Sequence, residues 1–361
     1  MSNYASNIIE GLRNGEQETQ PSENIPKVKT TNYFKINTAY QTIQESSKRP
    51  VPKQLFSQLW YENELCILFA DTNVGKSILA VQIADLISRG QSKGLFRVES
   101  GAKKVLYVDC ELSDKQFELR YSDEGKKLYP FNDSLLRAEI DPDAEHPNDV
   151  TFEEYVNDSI EQIIVKHRIE VLIIDNISFL VKEAEKAKNA IPFMKRWKQL
   201  KNKYGLSVLI LSHTPKRDAT KPIVRNDLIG SRMLLGFADS CFAIGESAKD
   251  KSVRYIKQIK ARNTEIVYDS ENVILCEIKK ENSFLHFDNY DLGDEYEHLK
   301  SFTSDEKQDL QTQVWSMKID GKSFREIGKE LGITYSKAKR LYDKENKETL
   351  PEKKDDNDIP F

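Results

Sequence analysis

The sequence has few of the residues that bind metal or cross-link a secreted protein. Its 361 residues include only four cysteines and five histidines, and no two cysteines form a C-x-x-C pair. The cysteines lie in or beside apolar runs and do not cluster with the histidines. This spacing excludes the common zinc-ligand patterns and indicates buried free thiols in a reducing compartment. The four residues are Cys66, Cys110, Cys241 and Cys276.

Signals for membranes and secretion are also missing from the sequence. No apolar run approaches the length that crosses a bilayer, and the N-terminus lacks a basic start followed by an apolar core. We therefore expect a cytoplasmic protein without a membrane partner. The formal net charge is only -4, so nucleic-acid binding has to be argued from local basic patches.

Apolar runs that alternate with helical patterns predict an α/β fold with a parallel sheet covered on both faces. The predicted strands are Leu65–Phe69, Val105–Val108, Val171–Ile174 and Ser207–Leu211. Further strand-like runs with little room for helices predict an antiparallel extension at one edge of the sheet: Cys241–Ile244, Val253–Ile259, Val273–Ile278 and Phe284–Phe287.

Composition divides the chain into five parts, and the flanking parts differ clearly from the large central one. The polar N-terminal arm has room for one short helix, around Tyr33–Ile43. We predict a flexible arm (1–48), a large α/β domain (49–288), an acidic linker (289–303), a small all-α domain (304–347) and a disordered acidic tail (348–361).

The segment ADTNVGKS follows a predicted strand and opens a predicted helix, which is the context of a phosphate-binding P-loop. Such a loop binds phosphate through backbone N–H groups and the positive end of the helix dipole. Lys76 is expected to reach the β- and γ-phosphates of ATP, and Ser77 to place its hydroxyl on Mg²⁺. Ala70 stands where the usual pattern has glycine, and a strand-like backbone there would tolerate it. The predicted nucleotide-binding residues are Ala70, Asp71, Thr72, Asn73, Val74, Gly75, Lys76, Ser77 and Ile78.

Polar residues lie at or just after the ends of three predicted strands. Parallel sheets bind their ligands at this edge, outside the carboxyl ends of the strands. Asp175 ends the run VLIID and is expected to hold the shell of the magnesium ion through water; the alternative is an aspartate that caps a helix. Glu111 follows the strand that ends in VDC and could polarise an attacking water, with Asp109 as its rival. His213 could sense the γ-phosphate or simply cap its strand.

Taken together and in this order, these residues resemble a RecA-type motor ATPase, an AAA family ATPase of mobile elements. The closest resemblance is to the RepA-like and DnaB-like helicase branch, with its relatives RadA and KaiC, over about residues 50–287. It implies a RecA-like core, with Glu111 as catalytic glutamate and Ser212-His213 as sensor. It also implies a replicative helicase of a plasmid, phage or mobile element that assembles as a ring, expected to be a homo-hexamer.

The resemblance also implies functions for two basic segments of the chain. The loop 214–229 lies where these proteins place a central-channel loop that contacts single-stranded DNA, although a solvated loop would look the same. Lys260 and Arg262 resemble the finger that enters a neighbour's site, with Arg232 as a weaker candidate and an exposed strand end as the alternative. The predicted single-strand contacts are Lys216, Arg217, Lys221 and Arg225.

Residues 304–347 resemble the helix-turn-helix of resolvases and sigma-like regulators. Ser304 is expected to cap a first helix, Gly332 lies in the turn, and a third helix from Tyr335 to about Lys344 carries a basic face. Duplex DNA would bind this face, although a helical protein-interaction domain would have the same turn. The predicted duplex contacts are Lys337, Lys339 and Arg340.

The last residues, DDNDIPF, resemble the C-terminal tip of bacterial single-stranded DNA-binding proteins. Phe361 and its free carboxylate could dock on host replication or repair proteins that bind such tips, whereas a tail that only aids solubility is the alternative. Three functions remain open for the whole chain. They are an oligomeric DNA motor, an ATP-gated DNA-binding regulator or recombination mediator, and a non-enzymatic adaptor. The third is disfavoured by the presence of a full set of nucleotide-site residues: Lys76, Ser77, Asp175 and Glu111.

Overall fold

The structure, a computed structural model, describes residues 36–141, 143–145, 147, 149–180, 187–215, 217–229, 231–301 and 304–349. The chain divides into two compact units, Met1–Val51 and Pro52–Phe361. In the first unit the described residues form helix α1, Ala39–Ser46. Its N-cap is Thr38, whose hydroxyl accepts the N–H of Gln41, so the helix begins later than the predicted Tyr33.

The second unit contains all strands of the described residues. They are β1 Gln54–Phe56, β2 Trp60–Tyr61, β3 Leu65–Ala70, β4 Val105–Asp109, β5 Ser122–Asp123, β6 Lys127–Leu128, β7 Leu135–Glu139, β8 Val171–Asp175, β9 Ser207–His213, β10 Ser240–Glu246, β11 Val253–Lys260, β12 Val273–Glu281 and β13 Phe284–Gly293.

The helices of this unit flank the strands and then close the chain. They are α2 Lys76–Arg89, α3 Asp114–Arg120, α4 Phe152–His167, α5 Ile177–Leu180, α6 Ala187–Tyr204, α7 Ser231–Phe237, α8 Ser304–Ile319, α9 Phe324–Leu331 and α10 Tyr335–Thr349. Short 3₁₀ turns cover Arg225–Asp227 and Glu295–His298. Within the described part of the chain, no helix combines the length and apolar character that a membrane crossing requires.

Nine strands form the central sheet, in the order β13-β12-β11-β10-β3-β9-β8-β4-β7. The six strands from β10 to β7 are parallel, and β11 to β13 continue the sheet antiparallel. Strands β3, β4 and β8 are buried along their whole length, with hydrophobic clusters on both faces of the sheet. The predicted class, an α/β core with a parallel sheet and an antiparallel edge plus a small all-α part, is confirmed.

Two details of the sheet differ from the prediction. The run Cys241–Ile244 was expected in the antiparallel extension, but β10 pairs in parallel with β3. Helix α7 carries the chain back across the sheet before β10 begins, so the strand must run in the same direction as β3. Strand β13 also continues to Gly293, so residues 289–293 belong to the sheet rather than to a linker.

A buried ion pair fixes the segment after β13. The Lys257 ammonium donates to Glu295 Oε2 at 2.6 Å, to Ser270 Oγ at 2.6 Å and to the Ile223 carbonyl at 2.7 Å. Glu295 is fully buried, and its Oε1 accepts the N–H of Ile223 at 2.7 Å. Because both charges are paired and hydrogen-bonded, this contact ties strand β11, the segment after β13 and residue 223 together.

Helices α8, α9 and α10 form a compact group, here called the C-terminal helical bundle (residues 304–349). Its buried residues are Leu310, Val314, Ile327, Ile333 and Ala338. Gly332 ends α9 with φ of 65°, which favours glycine, and an added Cβ on Gly328 would lie 2.7 Å from the carbonyl oxygen of Ile333. The turn between α9 and α10 is therefore tight, and glycine suits both positions.

Candidate functional site

The phosphate-binding loop joins β3 to α2 at the carboxyl edge of the parallel sheet. Asn73 and Gly75 both have left-handed backbones, with φ of 64° and 108°. A Cβ on Gly75 would lie 2.9 Å from side-chain atoms of Ile278 and Phe287, so only glycine fits there. Ala70 is the last residue of β3, and this strand conformation tolerates alanine where the usual motif has glycine.

A cavity of about 220 Å³ lies over this loop. It combines residues of the loop with residues from three other segments that end at the same edge. Three residues that were predicted to bind the nucleotide, Ala70, Asp71 and Val74, are not among the residues that line it. The lining residues are Thr72, Asn73, Gly75, Lys76, Ser77, Ile78, Glu111, Leu112, Arg120 and His213.

Lys76 brings a buried ammonium group to the floor of the cavity. Its Nζ donates to the carbonyls of Ala70 at 3.1 Å and Asp71 at 3.0 Å, and lies 3.1 Å from His213 Nδ1. Burial lowers the pKa of Lys76, and the nearby charges of Asp175 and Glu111 oppose that effect. A group in this environment gains strongly from an anion placed beside it.

Glu111, Asn176 and His213 meet beside Lys76. The Asn176 side-chain amide donates to Glu111 Oε1 and lies 3.0 Å from His213 Nε2. Glu111 Oε1 is 3.5 Å from His213 Nε2, and the carboxylate remains 40% exposed to the cavity. The hydrogen bond from His213, then the charges of His213, Lys76 and Arg120, lower the pKa of Glu111. The carboxylate therefore stays ionised, as a general base requires.

Asp109, the alternative candidate for the general base, is buried and hydrogen-bonded to other groups. It is 1% exposed, its Oδ1 accepts the N–H groups of Glu111 and Leu112, and its Oδ2 accepts Arg137 Nε at 3.0 Å. A carboxylate with these partners has no access to a water in the cavity. The geometry therefore favours Glu111 over Asp109 as the base.

Asp175 lies at the end of β8, next to Ser77. Burial raises the pKa of Asp175 to about 6, against the lowering effect of the Ser77 and Tyr107 hydroxyls. The Tyr107 hydroxyl donates to Oδ2 at 2.6 Å, whereas Oδ1 is buried without a hydrogen-bond partner among the described residues. A buried carboxylate oxygen beside a serine hydroxyl matches the oxygen donors that Mg²⁺ prefers.

Magnesium at this site would take most of its ligands from phosphate and water. Accordingly, the described residues contain no group of three or more His, Cys, Asp or Glu side chains that could hold a metal by themselves. Ser77 and Asp175 thus fit the ion as the two protein groups of a nucleotide-bound magnesium.

The predicted finger lies at the opposite edge of the sheet. Lys260 pairs with Cys241 near the start of β10, and its Nζ donates to the carbonyls of Leu235 and Ala238 at 2.5 and 2.7 Å. Arg262 Nη1 donates to Asp239 Oδ1 at 2.9 Å. Neither side chain belongs to the nucleotide cavity of its own chain.

The predicted single-strand contacts do not form one cluster. Lys216 lies outside the described residues, as does the side chain of Arg232. Arg217 folds back onto the Lys221 carbonyl at 2.9 Å, and Arg225 donates to the Ile259 carbonyl at 3.4 Å in a separate cleft.

The predicted duplex contacts lie on helix α10 of the C-terminal helical bundle. Lys339 and Arg340 are exposed, and Lys337 is half-buried. The backbone N–H of Lys337 is capped by the Thr334 hydroxyl at 3.1 Å, which fixes the start of the helix. The tail with Phe361 lies outside the described residues.

Three polar residues of the site were missed by the sequence reasoning, as was Leu112, which also lines the cavity. Asn176 directly follows Asp175, and a polar residue at that strand end was a usable signal. Tyr107 lies within a strand and reads as core, so its bond to Asp175 depends on the strand register. Arg120 ends helix α3 and lines the cavity, so its role depends on where that helix lies in the fold.

The chain matches one family of known proteins and resembles one of the solved structures. Residues 34–219, just over half of the chain, match the family described as AAA domain. No curated protein matches the chain. Among solved structures, the chain is similar to the crystal structure of a KaiC-like protein from the hyperthermophilic archaeon Pyrococcus horikoshii OT3. The two are 14% identical with a TM-score of 0.41, over 63% of this chain and 91% of that chain.

Asp175→Asn should stabilise the protein when nucleotide and magnesium are absent. The pKa of Asp175 is raised from 3.8 to about 6, so the folded state binds this proton more tightly than the unfolded state. The resulting stabilisation is complete below the unfolded pKa and is lost as the pH rises through about 6. At pH 8 we expect the variant to gain roughly 1–3 kcal/mol in thermal or urea unfolding.

The matched control for this experiment is Asp109→Asn. Asp109 faces Asp175 on the neighbouring strand but is paired with Arg137, so its loss should destabilise the fold. A less stable Asp175→Asn protein at pH 8 would contradict the inferred cost of burying this carboxylate.

Proposed function

The chain belongs to the AAA domain family of P-loop ATPases, and we propose that it is a magnesium-dependent ATPase that drives a RepA-like replicative DNA helicase of a plasmid, phage or mobile element. One observation carries the proposal. At the carboxyl edge of the sheet, Lys76, His213, Asn176 and Glu111 contact one another around a single cavity. These contacts support the proposal, because the side chains that we assign as phosphate-binding cation, general base and phosphate sensor belong to one network.

In the proposed reaction, the loop N–H groups and Lys76 hold the β- and γ-phosphates of ATP. Magnesium held by Ser77, and through water by Asp175, would neutralise phosphate charge. Glu111 accepts a proton from the attacking water, since its lowered pKa keeps it ionised and its carboxylate faces the cavity. Arg120 lines the same cavity and can bind a phosphate oxygen.

His213 can connect the phosphate to the rest of the molecule. The γ-phosphate would compete with His213 Nδ1 for the place beside the ammonium of Lys76, because Nδ1 lies 3.1 Å from Nζ. His213 also contacts Asn176 and Glu111, and the loop 214–229 begins directly after it. Binding and release of phosphate would therefore alter the start of that loop.

The catalytic proposal is tested with Glu111→Gln and Lys76→Ala. Glu111→Gln should retain nucleotide binding but lower kcat by about 10²-fold or more, because an amide cannot accept the proton. Lys76→Ala should weaken nucleotide binding itself. The assay is ATP hydrolysis with and without single-stranded DNA, followed by strand displacement on a forked duplex. Glu153→Gln, a half-buried position on α4 that does not line the cavity, is the matched control.

The outcomes separate the candidate functions. Normal turnover by Glu111→Gln would move the base elsewhere. DNA-stimulated hydrolysis without strand displacement would retain the ATPase and reject the helicase. No hydrolysis under any condition would favour the non-enzymatic adaptor.

The proposal includes a homo-hexameric ring in which Lys260 and Arg262 reach a neighbour's site. Their position supports this role, because both lie at the edge of the sheet opposite to their own nucleotide cavity. Hydrogen bonds to Leu235, Ala238 and Asp239 hold them at a strand end, and Arg262 remains 49% exposed. A cation supplied in this way stabilises charge in the transition state.

Mixing variants tests the shared site. Arg262→Ala should bind ATP without hydrolysing it, and Lys76→Ala should be inactive for lack of nucleotide. In an equal, random mixture about one quarter of the sites would combine an intact Lys76 with an intact neighbouring Arg262, so partial activity should return. Assembled rings without any rescue would argue against a finger supplied in trans.

A second function, an ATP-gated DNA-binding regulator, is favoured by one contact. Asp218, Thr220 and Lys221 of the loop 214–229 share a cleft of about 230 Å³ with α8 and α9 of the C-terminal helical bundle. Lys221 Cγ lies 3.4 Å from the position of a Cβ on Gly332, in the turn of the predicted helix-turn-helix. Ala219 also accepts the N–H of Lys300 at 3.0 Å, just before the bundle. One loop thus contacts both His213 and the proposed duplex-binding part.

If this loop transmits nucleotide state, a non-hydrolysable ATP analogue should change the duplex affinity by a factor within about 5–150. Duplex DNA should then change analogue affinity by the same factor. His213→Ala should remove the coupling but keep duplex binding, whereas Lys337→Glu with Arg340→Glu should weaken duplex binding and its salt dependence. His167→Ala, at the end of α4, is the control. Equal duplex affinity with and without the analogue contradicts gating.

The tail is the remaining part of the proposal. Its acidic residues and terminal Phe361 suit a basic-rimmed apolar pocket on a host replication or repair protein. Such docking would recruit the ATPase to sites of replication or repair.

A further inference from the structure

Glu111 lies in a short turn. A general base must be held at a fixed distance from its water, so the contacts that fix this turn matter for Glu111. The turn follows β4, and the N–H of Cys110 donates to the Asp175 carbonyl at 2.7 Å. The next two N–H groups, of Glu111 and Leu112, donate to Asp109 Oδ1 at 3.2 and 2.9 Å. The backbone on both sides of Glu111 Cα is therefore fixed by hydrogen bonds.

Arg137 closes this turn from outside the cavity. Its Nε donates to Asp109 Oδ2 at 3.0 Å, and its Nη2 donates to the Leu112 carbonyl at 2.8 Å. One guanidinium thus binds both the Asp109 carboxylate, which accepts the backbone N–H groups of the turn, and the Leu112 carbonyl at the end of the turn. The planar fork of arginine makes this possible, since a lysine ammonium cannot present two directed donors at that separation.

The position of Arg137 is itself well fixed. It lies on β7, opposite Tyr107 of β4, and its side chain is 19% exposed. The guanidinium lies 4.9 Å from the centre of the Phe117 ring and also contacts Asp114 and Glu139 at 2.5 and 3.1 Å. These outer carboxylates are more exposed, at 77% and 45%. They serve as matched controls on the same guanidinium.

We propose that Arg137, acting through Asp109, is a positioning residue for Glu111 in ATP hydrolysis. The inference rests on the proposed ATPase function and adds a role for the edge strand β7, which lies outside the nucleotide cavity. Arg137 does not line the cavity; it contacts the carbonyl of Leu112, one of the lining residues. It acts by holding Glu111 within reach of His213 and of the attacking water.

The first test separates nucleotide binding from turnover. Arg137→Met should lower kcat by about 10–100-fold, the scale expected when a catalytic group is displaced by about 1 Å. The dissociation constant for a non-hydrolysable ATP analogue should remain unchanged. Arg137→Lys should recover little, because it restores charge near Asp109 but not the second donor to Leu112. Asp114→Asn and Glu139→Gln should hydrolyse ATP like the original protein.

The second test asks whether Arg137 acts through Glu111. In the Glu111→Gln background, adding Arg137→Met should cost less than about a further two-fold, since the group that it positions is already lost. If Arg137 only supported the fold, its loss would reduce the residual activity by the same factor in both backgrounds. Thermal unfolding and analogue binding identify any variant that has not folded, and Arg137→Lys then replaces Arg137→Met.

The third readout is the pH profile of kcat. His213, Lys76 and Arg120 face Glu111 and lower its pKa. A displaced Glu111 would lose these contacts, so its pKa would rise and the acid limb of the profile should move to higher pH. General destabilisation would lower the rate without moving that limb.

The outcomes distinguish this inference from the proposed function. An original protein that does not hydrolyse ATP rejects both. If it hydrolyses ATP and Glu111→Gln does not, then full activity of Arg137→Met, or an additive loss in the double variant, overturns the positioning role alone. Normal turnover by Glu111→Gln also overturns it, because nothing would remain for Arg137 to position.

Discussion

The ammonium group of Lys76 is the charge around which the rest of the site is arranged. It is buried at the carboxyl edge of the sheet, and its partners are two carbonyls and a histidine nitrogen rather than a carboxylate. Asp175 and Glu111 act on it only from a distance, so burial still lowers its pKa. A phosphate can therefore approach a cation that no direct salt bridge neutralises, which is the property that a nucleotide site needs.

The antiparallel extension of the sheet packs against the loop and the helix that position Lys76. Side chains of Ile278 and Phe287 occupy the space where a Cβ on Gly75 would lie. The backbone of Phe287 exchanges two hydrogen bonds with Gln82 of α2, at 2.9 and 2.8 Å, and Arg254 donates to the Val74 carbonyl at 3.2 Å. Strands β11 to β13 thus hold both the loop and the helix that binds phosphate. The extension is part of the nucleotide site even though it contributes no residue to the cavity.

The loop 214–229 is fixed at its two ends and contacts the C-terminal helical bundle in between. At its start Thr214 donates to the Ala70 carbonyl at 3.1 Å, and at its end Ile229 donates to the His213 carbonyl at 3.3 Å. Near its middle, Ile223 is held by the buried Lys257–Glu295 pair. Hydrogen bonds therefore restrain this loop at its start, near its middle and at its end.

The sequence by itself determined the features that depend on neighbouring residues. The P-loop, the strand-end residues Glu111, Asp175 and His213, and the tight turn at Gly332 follow from local patterns, because each needs only a strand or helix and the adjacent turn. The tertiary structure decided everything that depends on strand order. Strand β10 proved parallel to β3 because α7 returns the chain across the sheet, and the choice between Asp109 and Glu111 depended on Arg137 of β7. The contact of Tyr107 depends on strand register, and the place of Arg120 in the site depends on where helix α3 lies. Contacts between residues this far apart produce no periodic pattern in a single sequence.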